Sequence, residues 1–337
     1  MDRTERQKLG IKKWAEKGFR GSLMWCTGVG KTFGAIMAIK GFLKNNKDKV
    51  IKVIVPTEHL KVQWMTELNK HKLIYDVSVE IINTAITLNF QIDFLILDEV
   101  HRYASNQFYQ IFNQRNPKIV LGLSATFSRL DQRHELLNKY CPVVDEISVF
   151  EAVTNKWLSP YKEYKVLLEV DDLQDYLDAN AAFIEAFSFF NFDFNLAMKA
   201  MTNVIFRRAY AKKMGYEGID GIVFSWGNAL RKRKSFIMDH PKKIEITRRI
   251  LDARPNAKAI TFSATIKQAE KIGRGFTVHS GKTKKKNRLT VNEFSNLEYG
   301  VMNTAKSLDE GADLPGLNLA IILCNTSSGT QKTQRVG

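Results

Sequence analysis

Short apolar runs rich in β-branched residues recur along the chain, and they constrain its fold more than any other feature. The six runs are 49–56 (KVIKVIVP), 94–99 (FLILDE), 118–126 (KIVLGLSAT), 258–265 (KAITFSAT), 299–306 (YGVMNTAK) and 319–326 (LAIILCNT). Strands that are buried on both faces of a parallel sheet have this nearly continuous apolar character. Helix-like stretches, such as 33–45 and 60–70, separate the runs. The alternation predicts an α/β fold with parallel, doubly wound sheets.

The runs fall into two groups, one within 20–150 and the other within 250–337. A chain of 337 residues exceeds one typical hydrophobic core, so two α/β lobes are expected. The stretch between the groups is helix-like, and basic residues crowd its second half. We therefore predict an N-terminal lobe at 1–155, a helical, basic connecting segment at 156–245 and a C-terminal lobe at 246–337.

The distribution of charge points to a polyanionic partner. The formal net charge is +16, and residues 199–250 alone contain 13 Lys or Arg against 4 Asp or Glu. A second basic window, 267–288, contains 8 against 1. Local patches of this kind favour nucleic acid or a charged membrane surface as partner. A generic solvated surface is the alternative interpretation.

Other features of the sequence indicate a cytoplasmic protein. No apolar run reaches the roughly 18 residues that a membrane span needs, and the charged N-terminus, MDRTERQKLG, lacks a secretion signal. The three cysteines, Cys26, Cys141 and Cys324, are widely spaced. Their number and spacing argue against a disulfide framework or a zinc site and fit a reducing compartment.

The stretch TGVGKT (27–32) contains the flexible and polar residues of a phosphate-binding loop. Gly28 and Gly30 permit backbone conformations that turn successive N–H groups toward an anion. The N-terminus of the following helix adds its dipole. Lys31 would reach the β- and γ-phosphates, and the hydroxyl of Thr32 would bind Mg²⁺. The whole loop, with Thr27 and Val29, is thus a candidate ATP site; an ordinary turn before a helix is the alternative.

A second stretch, FLILDEVH (94–101), is a buried-strand pattern that ends in two acids. Carboxylates at the carboxyl end of a strand lie where α/β sheets bind ligands. Asp98 could bind Mg²⁺, and Glu99 could orient or deprotonate an attacking water. Alone, these acids could equally be a solvated strand end. Together with Lys31 and Thr32 they predict an Mg²⁺·ATP site.

The order and spacing of TGVGKT, DEVH and SAT (124–126) resemble those of superfamily 2 helicases and translocases, and DEVH matches their DExH subtype. The resemblance implies two RecA-like lobes with the P-loop NTPase fold and ATP bound between them. In that family the residues matching Ser124, Ala125 and Thr126 couple ATP hydrolysis to lobe movement. His101 would connect the ATP state to the other lobe. The subgroup that looks most similar comprises DNA-repair and restriction-type helicases.

Further segments of the first lobe also resemble the family. VIVPTEHLKVQW (53–64) is similar to a nucleic-acid-contacting segment, which makes Pro56 and Thr57 candidate contacts. IINTAITL (81–88) is similar to the next such segment, with Thr84 as a phosphate contact. Gln7 lies where the family often has an adenine-reading glutamine. The arginine usually found three residues earlier is missing, because position 4 is Thr.

The second lobe resembles its counterpart in the family. Ser280 lies in a basic loop, VHSGKTKKKNR (278–288), whose SGKT is not expected to form a second phosphate-binding loop because no apolar helix follows it. In NTAKSLDEGADLPG (303–316), Thr304 would touch a nucleic-acid phosphate. Gly311 and Asp313 would line the ATP cleft; a turn acid before Pro315 is the alternative for Asp313.

The last residues, TQRVG (333–337), resemble the start of the final helicase motif. Gln334 matches a coupling residue, and the sequence stops before the arginines that follow in the family. We therefore expect a truncated form; an arginine supplied by another chain is the alternative.

These features predict an ATP-dependent helicase or translocase that uses ATP and Mg²⁺ and binds nucleic acid. DNA is favoured over RNA because the chain lacks the DEAD tetrapeptide that is typical of the commonest group of RNA-remodelling enzymes. Two alternatives stay open: a double-strand DNA translocase without unwinding, and a nucleic-acid-binding module with weak ATPase activity. We expect a monomer with no membrane association and no protein partner.

Overall fold

The computed structural model describes residues 1–46, 48–87, 91–104, 110–115, 117–125, 134–305 and 314–324. The described residues form two compact units, one up to Glu163 and the other from Tyr164 on. The predicted connecting helices belong to the same unit as the second sheet. The division at 155 and 245 stays a prediction.

The first unit contains a six-stranded sheet flanked by helices. Its strands are β1 (Arg20–Trp25), β2 (Ile51–Val55), β3 (Val77–Ile81), β4 (Phe94–Asp98), β5 (Ile119–Ser124) and β6 (Val143–Ile147). Its helices are α1 (Arg3–Glu16), α2 (Lys31–Leu43), α3 (Glu58–Lys70), α4 (Ile82–Ala85), a 3-10 helix (Val100–Ala104), α5 (Gln110–Arg115), α6 (His134–Asn138) and α7 (Val149–Thr154).

All strands of this sheet are parallel, in the order β3-β2-β4-β5-β1-β6. Every residue of β4 is buried, because helices cover both faces of the sheet centre. Parallel strands end at one common edge. The segments that follow β1, β4 and β5 therefore lie side by side.

Helix α1 is fixed to this sheet by a buried ionic network. Arg6 donates to the Asp145 and Glu151 carboxylates at 2.7 Å each. Lys13 and the Trp25 indole N–H also donate to Asp145, at 2.7 and 2.8 Å. The buried charges are thus paired and hydrogen-bonded, as burial requires.

The second unit combines a helical layer with a four-stranded parallel sheet of order β10-β7-β9-β8. The helices are α8 (Gln174–Ser188), α9 (Phe194–Thr202), α10 (Val204–Met214), α11 (Ile219–Met238), α12 (Pro241–Asp252), α13 (Ile266–Ile272) and α14 (Lys284–Ser295). The strands are β7 (Lys258–Ser263), β8 (Phe276–His279), β9 (Gly300–Ala305) and β10 (Leu319–Ile322). Phe190 and Trp226 are fully buried among the helices.

The fold confirms the predicted α/β class, since each of the six apolar runs contains a parallel strand. Within the part of the chain that the structure describes, no helix has the length and apolarity of a membrane span.

Candidate nucleotide-binding site

The loop between β1 and α2 has the backbone conformation of an anion-binding loop. Gly28 and Gly30 have φ angles of 85° and 88°, in the left-handed region that favours glycine. A Cβ at Gly30 would lie 2.6 Å from Gln7 Nε2, and one at Gly28 would lie 2.7 Å from Leu158 Cδ2. The positive φ angles therefore favour glycine at both positions, whereas the ends of the Gln7 and Leu158 side chains could shift.

Side chains of α1 hold the carbonyl groups of this loop. Gln7 Nε2 donates to Val29 O at 2.7 Å, and Arg3 Nη2 donates to Gly28 O at 2.9 Å. In a planar trans peptide the N–H points opposite to the preceding carbonyl. The N–H groups of Val29 and Gly30 consequently point away from α1, as a phosphate-binding loop needs.

Lys31 and Thr32 begin helix α2, and both are half-buried. Lys31 Nζ donates to Trp25 O at 3.3 Å. The ammonium therefore lies over the loop. The loop N–H groups, the helix N-terminus and this ammonium together suit a triphosphate.

Asp98 is the last residue of β4, and both of its carboxylate oxygens accept hydrogen bonds. Trp64 Nε1 donates to Oδ2 at 2.8 Å, and the backbone N–H of Glu99 donates to Oδ1 at 3.0 Å. Asp98 is buried, with 7% of its surface exposed. Each oxygen retains a lone pair for a cation.

Glu99 has a φ of 50°, a left-handed conformation that costs a non-glycine residue about 1–2 kcal/mol. Strained residues of this kind cluster at functional sites. Its Oε2 atom is buried and has no hydrogen-bond partner among the described residues; His101 Nδ1 lies 3.4 Å away. The geometry therefore leaves a carboxylate oxygen ready for a ligand or water.

The charges of Lys31 and the two acids act on one another. Burial raises the pKa of the Asp98 carboxyl, while the Trp64 hydrogen bond and the Lys31 charge oppose that rise. Burial and the charge of Asp98 raise the pKa of Glu99 to about 7, and Lys31 again opposes. The structure thus places the phosphate loop and the acidic pair in one electrostatic environment.

The order of the strands explains why the phosphate loop and the acidic pair lie close together. β5 lies between β1 and β4. Ser124, at the end of β5, lies between the phosphate loop and Asp98 along the sheet edge. Ser124 Oγ is 2.9 Å from His101 Nδ1, so the DEVH and SAT segments are in direct contact. Ala125 follows at the edge and is half-buried.

These residues fit Mg²⁺·ATP. Two observations support the fit: the buried Glu99 Oε2 atom, which has no hydrogen-bond partner in the part of the chain that the structure describes, and the positive φ angles of Gly28 and Gly30. Among the described residues there is no cluster of three side chains that could hold a metal alone. Mg²⁺ commonly binds through one or two protein ligands and the phosphates of its substrate, so Thr32 and Asp98 suffice as candidates.

The candidate nucleic-acid contacts in the first unit lie after β2 and β3. Pro56 is half-buried, and Thr57 caps helix α3 by accepting from the Leu60 N–H at 3.4 Å. Thr84 is exposed on the short helix α4. Contact with nucleic acid stays a proposal for all three.

In the second unit, Ser280 is exposed directly after β8. Thr304 is buried, and its hydroxyl donates to Thr261 O at 2.9 Å. In this structure that hydroxyl is therefore not presented to a phosphate. The predicted residues Thr126, Gly311, Asp313 and Gln334 lie outside the described part of the chain.

Sequence reasoning missed two residues of the site, Arg3 and Trp64. Arg3 is four residues before Gln7 instead of three, and it contacts the phosphate loop. A search that tolerated a shift of one helical position would have found it. Trp64 lies within the stretch 53–64, but nothing in that pattern indicates a bond to Asp98.

Two family models match most of the chain. The helicase conserved C-terminal domain matches residues 242–337. The res subunit of type III restriction enzymes matches residues 1–87 and 78–129. The matched regions contain both predicted groups of motifs.

A curated relative and two solved structures are also similar. The DNA 3'-5' translocase XPB2 of Sulfurisphaera tokodaii is 26% identical over 368 residues, covering 98% of this chain and 76% of the relative. The Hef helicase domain of Pyrococcus furiosus has a TM-score of 0.58 at 15% identity, covering 99% of this chain and 92% of that one. Dbp5 of S. cerevisiae, bound to RNA and ADP BeF3, has a TM-score of 0.56 at 14% identity, and the match covers 98% of this chain and 79% of that one.

The structural neighbours have the same fold of RecA-like domains. The motif order, the two helicase family models and the translocase relative agree with one another. The chain belongs to the superfamily 2 helicases and translocases.

Proposed function

We propose that this protein is an ATP-dependent DNA helicase or translocase that hydrolyses ATP at the β1–α2 loop. The observation that carries the proposal is the position of the β1–α2 loop and of Asp98 at the same edge of the sheet, where only β5 separates strands β1 and β4. Residues far apart in sequence thereby share one site, which suits a triphosphate with its cation.

Each residue then has a distinct role. The loop N–H groups and Lys31 bind the phosphates, and Thr32 and Asp98 would hold Mg²⁺, which supplies charge stabilisation to the transferred phosphoryl group. Glu99 orients the attacking water and accepts its proton. Its pKa of about 7 suits a general base at neutral pH.

The His101–Ser124 contact supports a coupling role for the SAT segment. His101 lies 3.4 Å from Glu99 and 2.9 Å from Ser124. A change in the charge of Glu99 during hydrolysis would alter this chain of contacts. We propose that Ser124, Ala125, Thr126 and Gln334 transmit the change, and that Gly311 and Asp313 line the nucleotide site.

DNA is the proposed partner. Support comes from the basic helices of the second unit and from the name of the relative, a DNA translocase. Pro56, Thr57, Thr84 and Ser280 are the proposed contacts along the strand; Thr304 is not among them, because its hydroxyl is buried against Thr261 O. The direction 3'-5' is carried over from that relative as part of the proposal. The monomeric state stays a prediction.

ATP hydrolysis tests the proposal, measured as phosphate release with single-stranded DNA, duplex DNA or RNA. We expect DNA to stimulate release more than RNA. Lys31→Ala should abolish release, whereas Lys40→Ala, at an exposed position of the same helix, should not. Release that survives in Lys31→Ala contradicts the assigned site. ATP and DNA binding without release would instead indicate a binding module.

A second assay separates unwinding from translocation on duplex DNA. The translocase named among the relatives favours the latter. Displacement of a triplex-forming strand without separation of a fork would establish duplex translocation. Separation of the fork would establish a helicase.

A further inference from the structure

The indole of Trp64 donates its hydrogen bond to a carboxylate of the candidate nucleotide site. Trp64 is 1% exposed, and its Nε1–H donates to Asp98 Oδ2 at 2.8 Å. Trp14 in the same unit is buried equally well, but it donates to a backbone carbonyl, Val120 O, at 2.9 Å. Trp25 also donates to a carboxylate, but its acceptor, Asp145, is paired with Arg6 and Lys13 and belongs to the network that anchors α1.

Two donors of different origin fix the Asp98 carboxylate. Glu99 N–H, on the Oδ1 side, is the next residue in the chain. Trp64, on the Oδ2 side, belongs to helix α3. Rotation of the carboxyl group would break both bonds, so its plane depends on where α3 lies. Bonds to a charged group are among the stronger hydrogen bonds in proteins.

Helix α3 begins beside candidate nucleic-acid contacts. Thr57 caps its N-terminus, and Trp64 lies seven residues further along the same helix. At 1.5 Å per residue this is about 10 Å of rigid helix. A strand bound at Thr57 therefore has a short mechanical connection to the Asp98 carboxylate.

We propose that Trp64 is a positioning residue, whose indole N–H orients the Asp98 carboxylate for the cation and connects it to the nucleic-acid side of α3. This inference rests on the proposed function, because it assumes Mg²⁺·ATP at Asp98. Trp64 itself would touch neither ATP nor the ion.

The test is the gain in ATP affinity that Mg²⁺ produces, measured by equilibrium dialysis with and without Mg²⁺. Trp64→Phe removes the N–H and keeps an aromatic ring. We expect affinity without Mg²⁺ to change less than twofold, and the Mg²⁺-dependent gain to fall by about 10-fold or more, since hydrogen bonds to charged groups contribute about 1.5–3 kcal/mol. DNA should also enhance the gain in the wild type and not in the variant.

Trp14→Phe is the matched control. It removes the same N–H from the same unit and leaves Asp98 untouched. Both variants are expected to lower the melting temperature, but Trp14→Phe should retain the full Mg²⁺-dependent gain. If Trp64→Phe retains it as well, Trp64 is only structural and the inference is wrong.

A measurement on the wild type covers the case in which Trp64→Phe does not fold. With ¹⁵N-labelled indoles, Asp98→Asn identifies the Trp64 Nε1–H resonance by the shift it causes. Addition of Mg²⁺ to the ATP complex should move this resonance and not that of Trp14. An unmoved Trp64 resonance overturns the inference while leaving ATP binding intact. Failure of the wild type to bind ATP at all overturns the proposed function and, with it, this inference.

Discussion

At the scale of single residues, the buried acidic pair dominates the site. Asp98 is buried and the adjacent Glu99, of like charge, is half-buried. Burial and the charge of Asp98 raise the pKa of Glu99, and among the described residues the charges of Lys31 and Arg102 oppose that rise. Without a bound cation the pair opposes folding at neutral pH. Functional sites commonly retain such a cost because the ligand relieves it.

The first prediction concerns the effect of the raised Glu99 pKa on stability. Its pKa is about 7 in the folded protein against 4.5 for an ordinary Glu. A raised carboxyl pKa means that the folded state binds a proton more tightly, so stability falls as pH rises from about 4.5 to 7. Glu99→Gln should therefore raise the free energy of unfolding above pH 7, by about 3 kcal/mol at most, with the gain vanishing near pH 4.5.

Thermal unfolding in EDTA at several pH values measures this gain. Glu16→Gln, at an exposed position of α1, is the control and should change the melting temperature little at any pH. A gain from Glu99→Gln that does not depend on pH would contradict the prediction.

At the scale of elements, helix α1 determines the shape of the phosphate loop. Its Arg3 and Gln7 hold the loop carbonyls, and its Arg6 is held by Asp145 at the sheet edge. The helix and the loop should therefore lose order together if this anchor is broken.

Asp145→Asn tests the anchor. Burial raises the pKa of Asp145, but hydrogen bonds from Arg6, Lys13 and Trp25 outweigh it, so the net pKa is lowered. A lowered carboxyl pKa contributes stability above about pH 4 and loses it below. Breaking a buried pair costs about 3–5 kcal/mol, so urea unfolding should show a loss of that order, constant from pH 5 to 8, and ATP affinity should fall.

The exposed pair Arg274–Asp252 supplies the control. Asp252→Asn should cost far less stability than Asp145→Asn, because surface pairs contribute little. Equal losses from the two substitutions would mean that the α1 network is not a special anchor.

Sequence patterns found the central strands and missed most edge strands. β3, β6 and β8 lie at sheet edges, where one side meets solvent and polar residues interrupt the apolar run. β1 is central but contains Gly21 and Ser22, and a Cβ at Gly21 would lie 2.3 Å from a methyl group of Val144. Only small residues fit in this close packing. They interrupt the apolar run by which a strand is recognised in a sequence.

The site was predictable where local sequence determines the backbone. The glycine loop and the acids after β4 follow from short motifs. The Arg3, Trp64 and His101 contacts depend on tertiary packing, and the left-handed conformation of Glu99 has no marker in its residue type. Motifs therefore predict the ligand, while tertiary packing determines how the side chains are held.

At the scale of the whole molecule, charge is concentrated in the helical part of the second unit. In the run 231–234, Arg233 lies over the Phe183 ring at 4.2 Å, whereas the other three residues are exposed. Nucleic-acid affinity falls with salt in proportion to the number of phosphates that such residues neutralise.

Replacing Arg231, Lys232 and Lys234 with Gln tests this surface. For each of these residues that contacts a phosphate, the slope of log DNA affinity against log salt concentration should become shallower by about 0.7–0.9. The control replaces three exposed lysines of α1 and its end, Lys8, Lys12 and Lys17, and removes the same charge. Identical effects of the two triple variants would show that only net charge matters.

The central claim is that the phosphate loop and the acidic pair surround one Mg²⁺·ATP. A double-mutant cycle on Mg²⁺·ATP affinity, with Lys31→Ala, Asp98→Asn and the double variant, tests it most directly. We predict that the double variant departs from the sum of the single effects by more than about 1 kcal/mol, because both groups act on one ligand. Additivity within about 0.3–0.5 kcal/mol, the behaviour of independent sites, would contradict the claim.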